Sequence, residues 1–297
     1  MAIPFNRRVD DTPRTRLEWA RYYRSRGWCP LPLPTGEKNP KSNGKGWHTR
    51  EYDDDCFEGE GNLGTILKDN TLDVDLDATE AVAVAPYFLP PTQLIHGRAS
   101  KPRSHWWYAG QGEMPGGVQQ FRDPLDSAML VELRATDSAK GAMTVVPPSI
   151  HPSGEVVVWH ERGEPGAVAI SALHRHVALV AATALLARHW PTHSRHYFSL
   201  ALAGYLLNGG VDIDTACTVV RAAAESAGDE EADARVLNVE TTAGNIARGE
   251  HVTGGPTLRE HLDARVVDAL GKWLNLRAST SPHVALSPQP LFQAQAM

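Results

Sequence analysis

The chain has 297 residues, of which 42% are hydrophobic, enough to form the core of one large domain or of two ordinary ones. The formal net charge of -6 excludes an overall electrostatic attraction to nucleic acid, so any such binding must be local. The cysteines form no CxxC pair, which argues against a zinc ribbon and against a disulfide framework. We therefore expect a reduced, cytoplasmic setting.

The first fifty residues are basic, with eleven Lys or Arg residues against four Asp or Glu residues. Residues 14–26 predict an amphipathic helix, and residues 27–49 predict a short strand followed by a loop rich in glycine, proline and lysine. The chain starts with polar and charged residues, and its longest apolar stretch, residues 177–187, is too short to span a bilayer. We expect no membrane role.

The central part of the chain predicts a mixed α/β domain. One helix is expected at residues 78–88, between stretches of alternating or β-rich sequence. These stretches predict strands at residues 63–77, 104–110, 129–135, 142–148 and 155–161. The predicted first domain covers residues 1–171.

Helical periodicity replaces this pattern from about residue 172. Helices are expected at residues 171–190, 194–210, 214–228, 230–250 and 257–274. Thr257 and Glu260 form a capping-box pattern at the start of the last helix. We predict a second, helical domain over residues 172–276. Residues 277–297 are rich in Ser, Pro and Gln without periodicity, which predicts a disordered tail or a truncated linker.

Residues 71–80, TLDVDLDATE, place an aspartate at every second position of a stretch that otherwise resembles a buried strand. Alternate side chains of a strand project from one face, so Asp73, Asp75 and Asp77 would lie about 7 Å apart at their Cα atoms. Such crowding of negative charge is costly unless cations are present. A solvated edge or a turn is the structural alternative, but the flanking apolar residues favour a central strand.

Two kinds of metal site use such a pattern. A calcium loop opens with D-x-D-x-D, but Ala78 stands where the loop requires glycine and Val84 where it requires a bidentate glutamate. A two-metal site for phosphoryl or nucleotidyl transfer remains, in which paired aspartates hold two Mg²⁺ or Mn²⁺ ions. Glu132, in the apolar stretch MLVELRA, is a candidate for a further carboxylate ligand, and a pair with Arg134 on the same strand is the structural alternative.

A basic segment lies between the two acidic stretches. Arg98, Lys101 and Arg103 fall within six residues on a predicted loop, and Ser104 and His105 follow at the start of an aromatic strand. Basic side chains, a hydroxyl and an imidazole together suit a triphosphate, through charge and through hydrogen-bond donation. A solvated loop and a structural strand histidine are the alternatives when each residue is taken alone.

The order of these motifs resembles the archaeo-eukaryotic primase superfamily, in particular the primase-polymerase domains of phage and plasmid replication proteins. The family motifs are a D-x-D pair, an s-x-H and a third acid on a strand. They match Asp75-Leu76-Asp77, Arg103-Ser104-His105 and Glu132. The loop at residues 27–49, the segment GNLGTIL and the segment VVPPSIHPSGEVVVW are also similar to family segments. The resemblance covers roughly residues 15–165.

The resemblance implies an α+β fold, in which an RRM-like sheet with a flanking α/β module is followed by a small helical domain. It also implies a two-metal site for Mg²⁺ or Mn²⁺. The implied metal ligands are Asp75, Asp77 and Glu132, with Asp73 possible, and the same three acids are catalytic together with His105. The implied nucleotide contacts are Lys101, Arg103, Ser104, His105 and Arg134.

The implied activity is DNA-dependent primer synthesis and extension on a single-stranded template, from NTPs or dNTPs, by a phage- or plasmid-encoded protein in bacterial cytoplasm. The basic amino-terminal helix and the Lys-rich loop would hold the template, and aromatic residues would stack on bases. The sequence contains no G-x-x-x-x-G-K-[ST] motif, so a helicase would be a separate domain or partner. Two other classes stay open, a non-catalytic DNA-binding module of a replication initiator and a metal-dependent nuclease or phosphohydrolase.

Overall fold

The structure is a computed structural model that describes residues 12–113, 118–135 and 141–277. Its strands are β1 (Cys29–Leu33), β2 (Asn62–Ile66), β3 (Thr71–Leu76), β4 (Leu94–Arg98), β5 (Lys101–Gln111), β6 (Gln119–Arg122), β7 (Met129–Arg134), β8 (Met143–Val146), β9 (Ser149–Ile150), β10 (Val156–Arg162) and β11 (Gly166–Ala169). Its α-helices are α1 (Arg16–Ser25), α2 (Thr79–Phe88), α3 (Ile170–Arg188), α4 (Arg195–Asn208), α5 (Ile213–Ser226), α6 (Ala232–Ala247), α7 (Gly255–His261) and α8 (Ala264–Trp273). This arrangement confirms the expected α+β class. The expected disordered tail lies outside the described residues, apart from its first residue.

Two sheets form the first part of the chain. The larger sheet has the strand order β6-β7-β3-β5-β4-β10-β9, and β11 pairs in parallel with β5. The smaller sheet has the order β1-β2-β8 and is antiparallel. Strand β3 has a neighbour on each side, β5 and β7, so it lies inside the large sheet. The aspartate-bearing stretch is therefore a central strand, as its apolar residues indicated.

The two faces of β3 have different surroundings. Leu72, Val74 and Leu76 belong to the main hydrophobic core, and each is fully buried. Asp73 and Asp75 alternate with them and face the opposite side, because successive side chains of a strand point to opposite faces. The face with Leu72, Val74 and Leu76 packs against helices. The face with Asp73 and Asp75 also carries the buried Trp107, which shares a second hydrophobic cluster with Leu63 and Val146 of the smaller sheet.

Helix α3 covers the apolar face of the large sheet. It contacts α2, β7 and β11, and it also contacts α5 and α8. One continuous core contains sheet residues such as Val131 and α3 residues such as Leu185. The domain boundary predicted near residue 172 falls at the start of this helix, and the division into two domains stays a prediction.

By length and composition alone, helix α3 is long and apolar enough to cross a membrane. It is the one helix among the described residues of which this is true. In this structure 61% of its most apolar 18-residue stretch is buried inside the protein. A mostly buried helix of this kind is typical of the core of a globular domain. The helix is therefore weak evidence for a membrane span.

The basic segment between the acidic strands is a hairpin, and its prediction as a loop is wrong. Arg98 ends β4 and Lys101 begins β5, with two residues between them. Arg103 has a positive φ of 55°, and the pairing of β4 with β5 shifts register between His96 and Arg98. The irregularity is a bulge in the ladder, and bulges re-aim side chains beside functional sites.

The single helix predicted at residues 257–274 is also wrong, because the structure contains two helices there. Helix α7 begins at Gly255, so Thr257 lies inside the helix and does not cap it. Asp263 interrupts the run, and its side chain accepts a hydrogen bond from the backbone N–H of Arg265 to cap α8. A stronger local N-cap, Asp263, therefore begins the last helix six residues after the proposed N-cap Thr257.

Candidate active site

Three adjacent strands bring acidic and basic side chains to one face of the large sheet. Asp75 on β3 lies opposite both His105 on β5 and Glu132 on β7. Asp73 on β3 lies opposite Arg134 on β7. Directly opposed residues of antiparallel strands share a face, with Cβ atoms about 4.5–5.5 Å apart. The sheet register therefore gathers the three sequence motifs at one place.

Asp73 is the deepest of the three aspartates and is fully buried. Its Oδ2 accepts a hydrogen bond from Thr144 Oγ1 at 2.5 Å and lies 3.0 Å from Nδ1 of His105. Burial raises the pKa of Asp73, but the His105 imidazole and the Arg134 guanidinium lower it more, so the pKa lies below its usual value. Asp73 is thus an ionised carboxylate whose oxygens already have partners.

Arg134 lies among the carboxylates. Its guanidinium nitrogens are 2.5 Å from Oδ2 of Asp75, 2.6 Å from Oε2 of Glu132 and 3.9 Å from Oδ2 of Asp73. Burial raises the pKa of Asp75, but the nearby cations, Arg134 first among them, lower it more, so the pKa of Asp75 lies below its usual value. Arg134 therefore compensates the negative charge that the spacing of the aspartates creates.

Asp77 follows the end of β3 and is the most accessible of the three aspartates, with its side chain 35% exposed. Lys101 Nζ lies 3.6 Å from its Oδ1. Burial and the neighbouring Asp75 carboxylate raise the pKa of Asp77 more than Lys101 lowers it, so this pKa lies above its usual value. An additional cation beside Asp77 would stabilise its ionised form.

The imidazole of His105 has a partner at each nitrogen and on one ring face. Nδ1 faces Asp73, and Nε2 lies 3.6 Å from Oδ1 of Asp75. The ring stacks on His96 with centroids 4.2 Å apart and planes at 3°. Burial lowers the pKa of His105, but the Asp75 and Asp73 carboxylates raise it more. Burial, followed by the charge of His105, holds the pKa of His96 well below its usual value. The stack therefore joins a neutral ring to one that is readily charged.

Several of these side chains border a cavity of about 590 Å³. A volume of this size can hold a small-molecule ligand. Its acidic lining residues are Glu37, Asp75 and Asp77, and its basic or imidazole lining residues are Lys38, His96, Arg98, Lys101, His105, Arg134 and His151. The lining thus combines a few carboxylates with a larger number of cationic and imidazole groups.

The structure brings most of the sequence-predicted site residues to this cavity. Those in its lining are Asp75, Asp77, Lys101, Ser104, His105 and Arg134. Asp73, Arg103 and Glu132 are not in the lining. Arg103 pairs instead with Glu161 on β10 at 2.6 Å. The Ser104 hydroxyl is buried and has no hydrogen-bond partner within the described part of the chain.

Sequence reasoning missed Lys38, His96 and His151 as site residues. Lys38 and His151 lie in two segments that carried the family resemblance, the Lys-rich loop and the PPSIH turn, so their motifs could have pointed to them. His96 lies on β4, a five-residue strand that was not predicted. A single histidine in so short a segment carries no signal of its own.

A divalent cation fits part of this arrangement. Over the ranges that the structure describes, no group of three or more His, Cys, Asp or Glu side chains forms a metal site. Two carboxylates do reach the cavity, Asp75 and Asp77, and carboxylate oxygens are the ligands that Mg²⁺ and Mn²⁺ prefer. The oxygens of Glu132 are engaged by Arg134 and by Gln120, each at 2.6 Å. Glu132 would have to give up one of these contacts to bind the same cation as Asp75 and Asp77.

Comparison with family models matches residues 20–173 to the family described as bifunctional DNA primase/polymerase, N-terminal. The match covers more than half of the chain and includes every strand described above and all of the sequence-predicted site residues. Searches of the curated proteins and of the solved structures found no match. The family expected from the sequence motifs is confirmed, and the chain belongs to the bifunctional DNA primase/polymerase family.

Proposed function

We propose that this chain is a DNA-dependent primase-polymerase, which joins nucleotides into a primer on single-stranded DNA and extends it. Family membership implies DNA and nucleotide substrates in general terms. The observation that supports primer synthesis and extension in particular is the cavity of about 590 Å³, where Asp75 and Asp77 meet basic groups from separate segments of the chain. A nucleoside triphosphate needs this combination, because its phosphates bind basic side chains directly and carboxylates through a metal ion.

Asp75 and Asp77 are the residues that would hold Mg²⁺ or Mn²⁺, which supplies neutralisation of phosphate charge and activation of the attacking hydroxyl. Arg134 keeps Asp75 ionised. Lys101 lies 3.6 Å from Asp77 and would bind a phosphate oxygen beside it. Lys38 is close enough to contribute to the lowered pKa of Asp75 and would bind the same polyphosphate from the Lys-rich loop.

His151 would act as a neutral hydrogen-bond donor to the nucleotide. The backbone N–H of Ser153 donates to Nδ1 of His151 at 3.1 Å, so a neutral ring carries its proton on Nε2. Burial, Arg98 and Lys38 hold the pKa of His151 below its usual value, which favours that neutral ring. A phosphate or ribose oxygen is a suitable acceptor.

The template would lie near the Lys-rich loop rather than along α1. Arg21 and Arg24 of α1 already contact Asp54, whereas Lys41 and Lys45 on the loop have exposed side chains. Exposed lysines bind the phosphate backbone through charge and without sequence preference. The helicase partner, the phage or plasmid origin and the choice between NTPs and dNTPs stay predictions.

A primer-synthesis assay on single-stranded DNA, with labelled nucleotides and with Mg²⁺, Mn²⁺ or neither, tests the proposal. We expect Asp75→Asn and Asp77→Asn to abolish incorporation and to leave single-strand affinity largely intact by fluorescence anisotropy. Asp53→Asn, at an exposed aspartate of the same part of the chain, is the matched control and should remain active. Incorporation by both cavity variants at the control's rate would contradict the proposal, and degradation of the template would indicate a nuclease.

A further inference from the structure

The three aspartates have different environments. Asp75 and Asp77 line the cavity, whereas Asp73 is fully buried and does not line it. Burying a carboxylate is costly unless the group is paired and hydrogen-bonded. Its position in the middle of a central strand, between two apolar residues, therefore requires stabilising partners.

The hydrogen-bond partners of Asp73 lie on two different strands, and the Arg134 guanidinium lies 3.9 Å away on a third. Thr144 Oγ1 donates to Oδ2 of Asp73 at 2.5 Å. Nδ1 of His105 lies 3.0 Å from Oδ2 and 3.2 Å from Oδ1. Thr144 belongs to β8 in the smaller sheet and is itself buried. The hydroxyl from one sheet thus fixes the carboxylate, and the carboxylate fixes an imidazole of the other sheet.

The ring of His105 is also fixed across its face. His96 stacks on it at 4.2 Å, and Trp107 Nε1 donates to Nδ1 of His96 at 2.9 Å to hold that ring in turn. Rotation of the His105 ring out of its plane would break the parallel stack, and a 180° flip about its Cβ–Cγ bond would break the contact between Nδ1 and Asp73. The ring is therefore held with Nδ1 toward Asp73 and with Nε2 toward Asp75, 3.6 Å away.

We propose that Asp73 is a positioning residue for His105 and is not a metal ligand. The Asp73 carboxylate accepts a hydrogen bond from Nδ1–H of His105, Thr144 keeps that carboxylate in place, and Nε2 is left to contact the phosphates of the incoming nucleotide. The inference rests on the proposed function, because it takes the nucleotide to bind in the cavity beside His105. Carboxylates orient metal-bound histidines in proteins through the same contact.

Three substitutions separate positioning from metal binding: Asp73→Asn, which keeps an acceptor for Nδ1, Asp73→Val, which removes it, and Thr144→Val, which removes the supporting hydroxyl. We expect the nucleotide KM to rise by about 10–100-fold in Asp73→Val, with a smaller change in kcat. Asp73→Asn should recover most of this loss. Thr144→Val should give an intermediate KM, because the carboxylate remains but is less well held.

Two further measurements need no turnover. Mn²⁺ titration followed by electron paramagnetic resonance should give Asp73→Asn nearly the affinity of the unsubstituted chain, whereas Asp75→Asn should bind Mn²⁺ much more weakly. Nitrogen-15 NMR of the imidazole should show a proton on Nδ1 of His105 in the unsubstituted chain and in Asp73→Asn. In Asp73→Val we expect a mixture of the two ring tautomers, because nothing then selects Nδ1.

An equal loss of Mn²⁺ affinity in Asp73→Asn and in Asp75→Asn would identify Asp73 as a ligand and overturn the proposal. A folded Thr144→Val or Asp73→Val with unchanged nucleotide KM and an unchanged His105 proton position would also overturn it. Absence of primer synthesis by the unsubstituted chain would instead contradict the proposed function, since the NMR and Mn²⁺ measurements do not depend on catalysis. The two failures are therefore distinguishable.

Discussion

Replacing Arg134 by methionine should destabilise the fold when divalent cations are absent. The guanidinium lies 2.5 Å from Asp75 and 2.6 Å from Glu132, and the Arg134 side chain is 25% exposed. Removing one partner of a buried ion pair costs about 3–5 kcal/mol, because an uncompensated charge remains buried. Water reaches part of this side chain, so we expect roughly 2–4 kcal/mol. For a chain of 297 residues the melting temperature should fall by roughly 3–7 °C.

Thermal unfolding with a chelator, and then with Mg²⁺ or Mn²⁺, measures this effect. Arg122→Met is the matched control, because Arg122 is exposed on the neighbouring strand β6 and its loss should cost at most about 0.5 kcal/mol. A divalent cation should restore part of the stability of Arg134→Met, since it would compensate the same carboxylates. If Arg134→Met unfolded at the same temperature as Arg122→Met, the carboxylates would not depend on the guanidinium, and the reasoning would be refuted.

Gly204→Ala should destabilise the helical part by at least about 1 kcal/mol, because a Cβ there would overlap the backbone carbonyl of Thr253. Gly244→Ala, inside α6 where a Cβ has room, should stabilise the helical part by about 0.5–1 kcal/mol. Thermal melts in which Gly204→Ala was the more stable of the two variants would contradict this packing. Burial raises the pKa of Asp229, but hydrogen bonds from Arg235 first and from other donors lower it more, so it lies below its usual value of 3.8. Asp229 therefore stabilises the fold above about pH 4 and loses this effect as the pH falls through its lowered pKa. Asp229→Asn should lower stability at neutral pH and flatten its acid dependence in melts at several pH values; an unchanged acid slope would contradict this assignment.

The predictable part of the fold was the part that local pattern encodes. Strand β3 was predicted because apolar residues occupy one of its faces along its whole length. Strand β4 was missed because it has five residues, including Gly97, and is stabilised by pairing with β5 and β10 on its two sides. A short strand of this kind depends on its neighbours, which the local sequence does not contain.

The candidate site, too, could be predicted from the sequence only in part. The spacing of the aspartates and their order before His105 and Glu132 were visible in the sequence, because strand register converts spacing into a shared face. The different environments of Asp73 and Asp75 were not visible, because they depend on Thr144, which comes from the other sheet. Position in a motif therefore predicted where the carboxylates meet but not what each one contacts.

The packing of α3 limits where this protein can be cut. Its residues complete the core under the large sheet, and Arg188 at its end pairs with Glu80 of α2 at 3.0 Å. A fragment ending at residue 171 would keep every strand and lose this cover, leaving an open apolar face that favours aggregation. A workable truncation, or a natural exchange of the helical part between proteins, would have to leave α3 attached to the sheet.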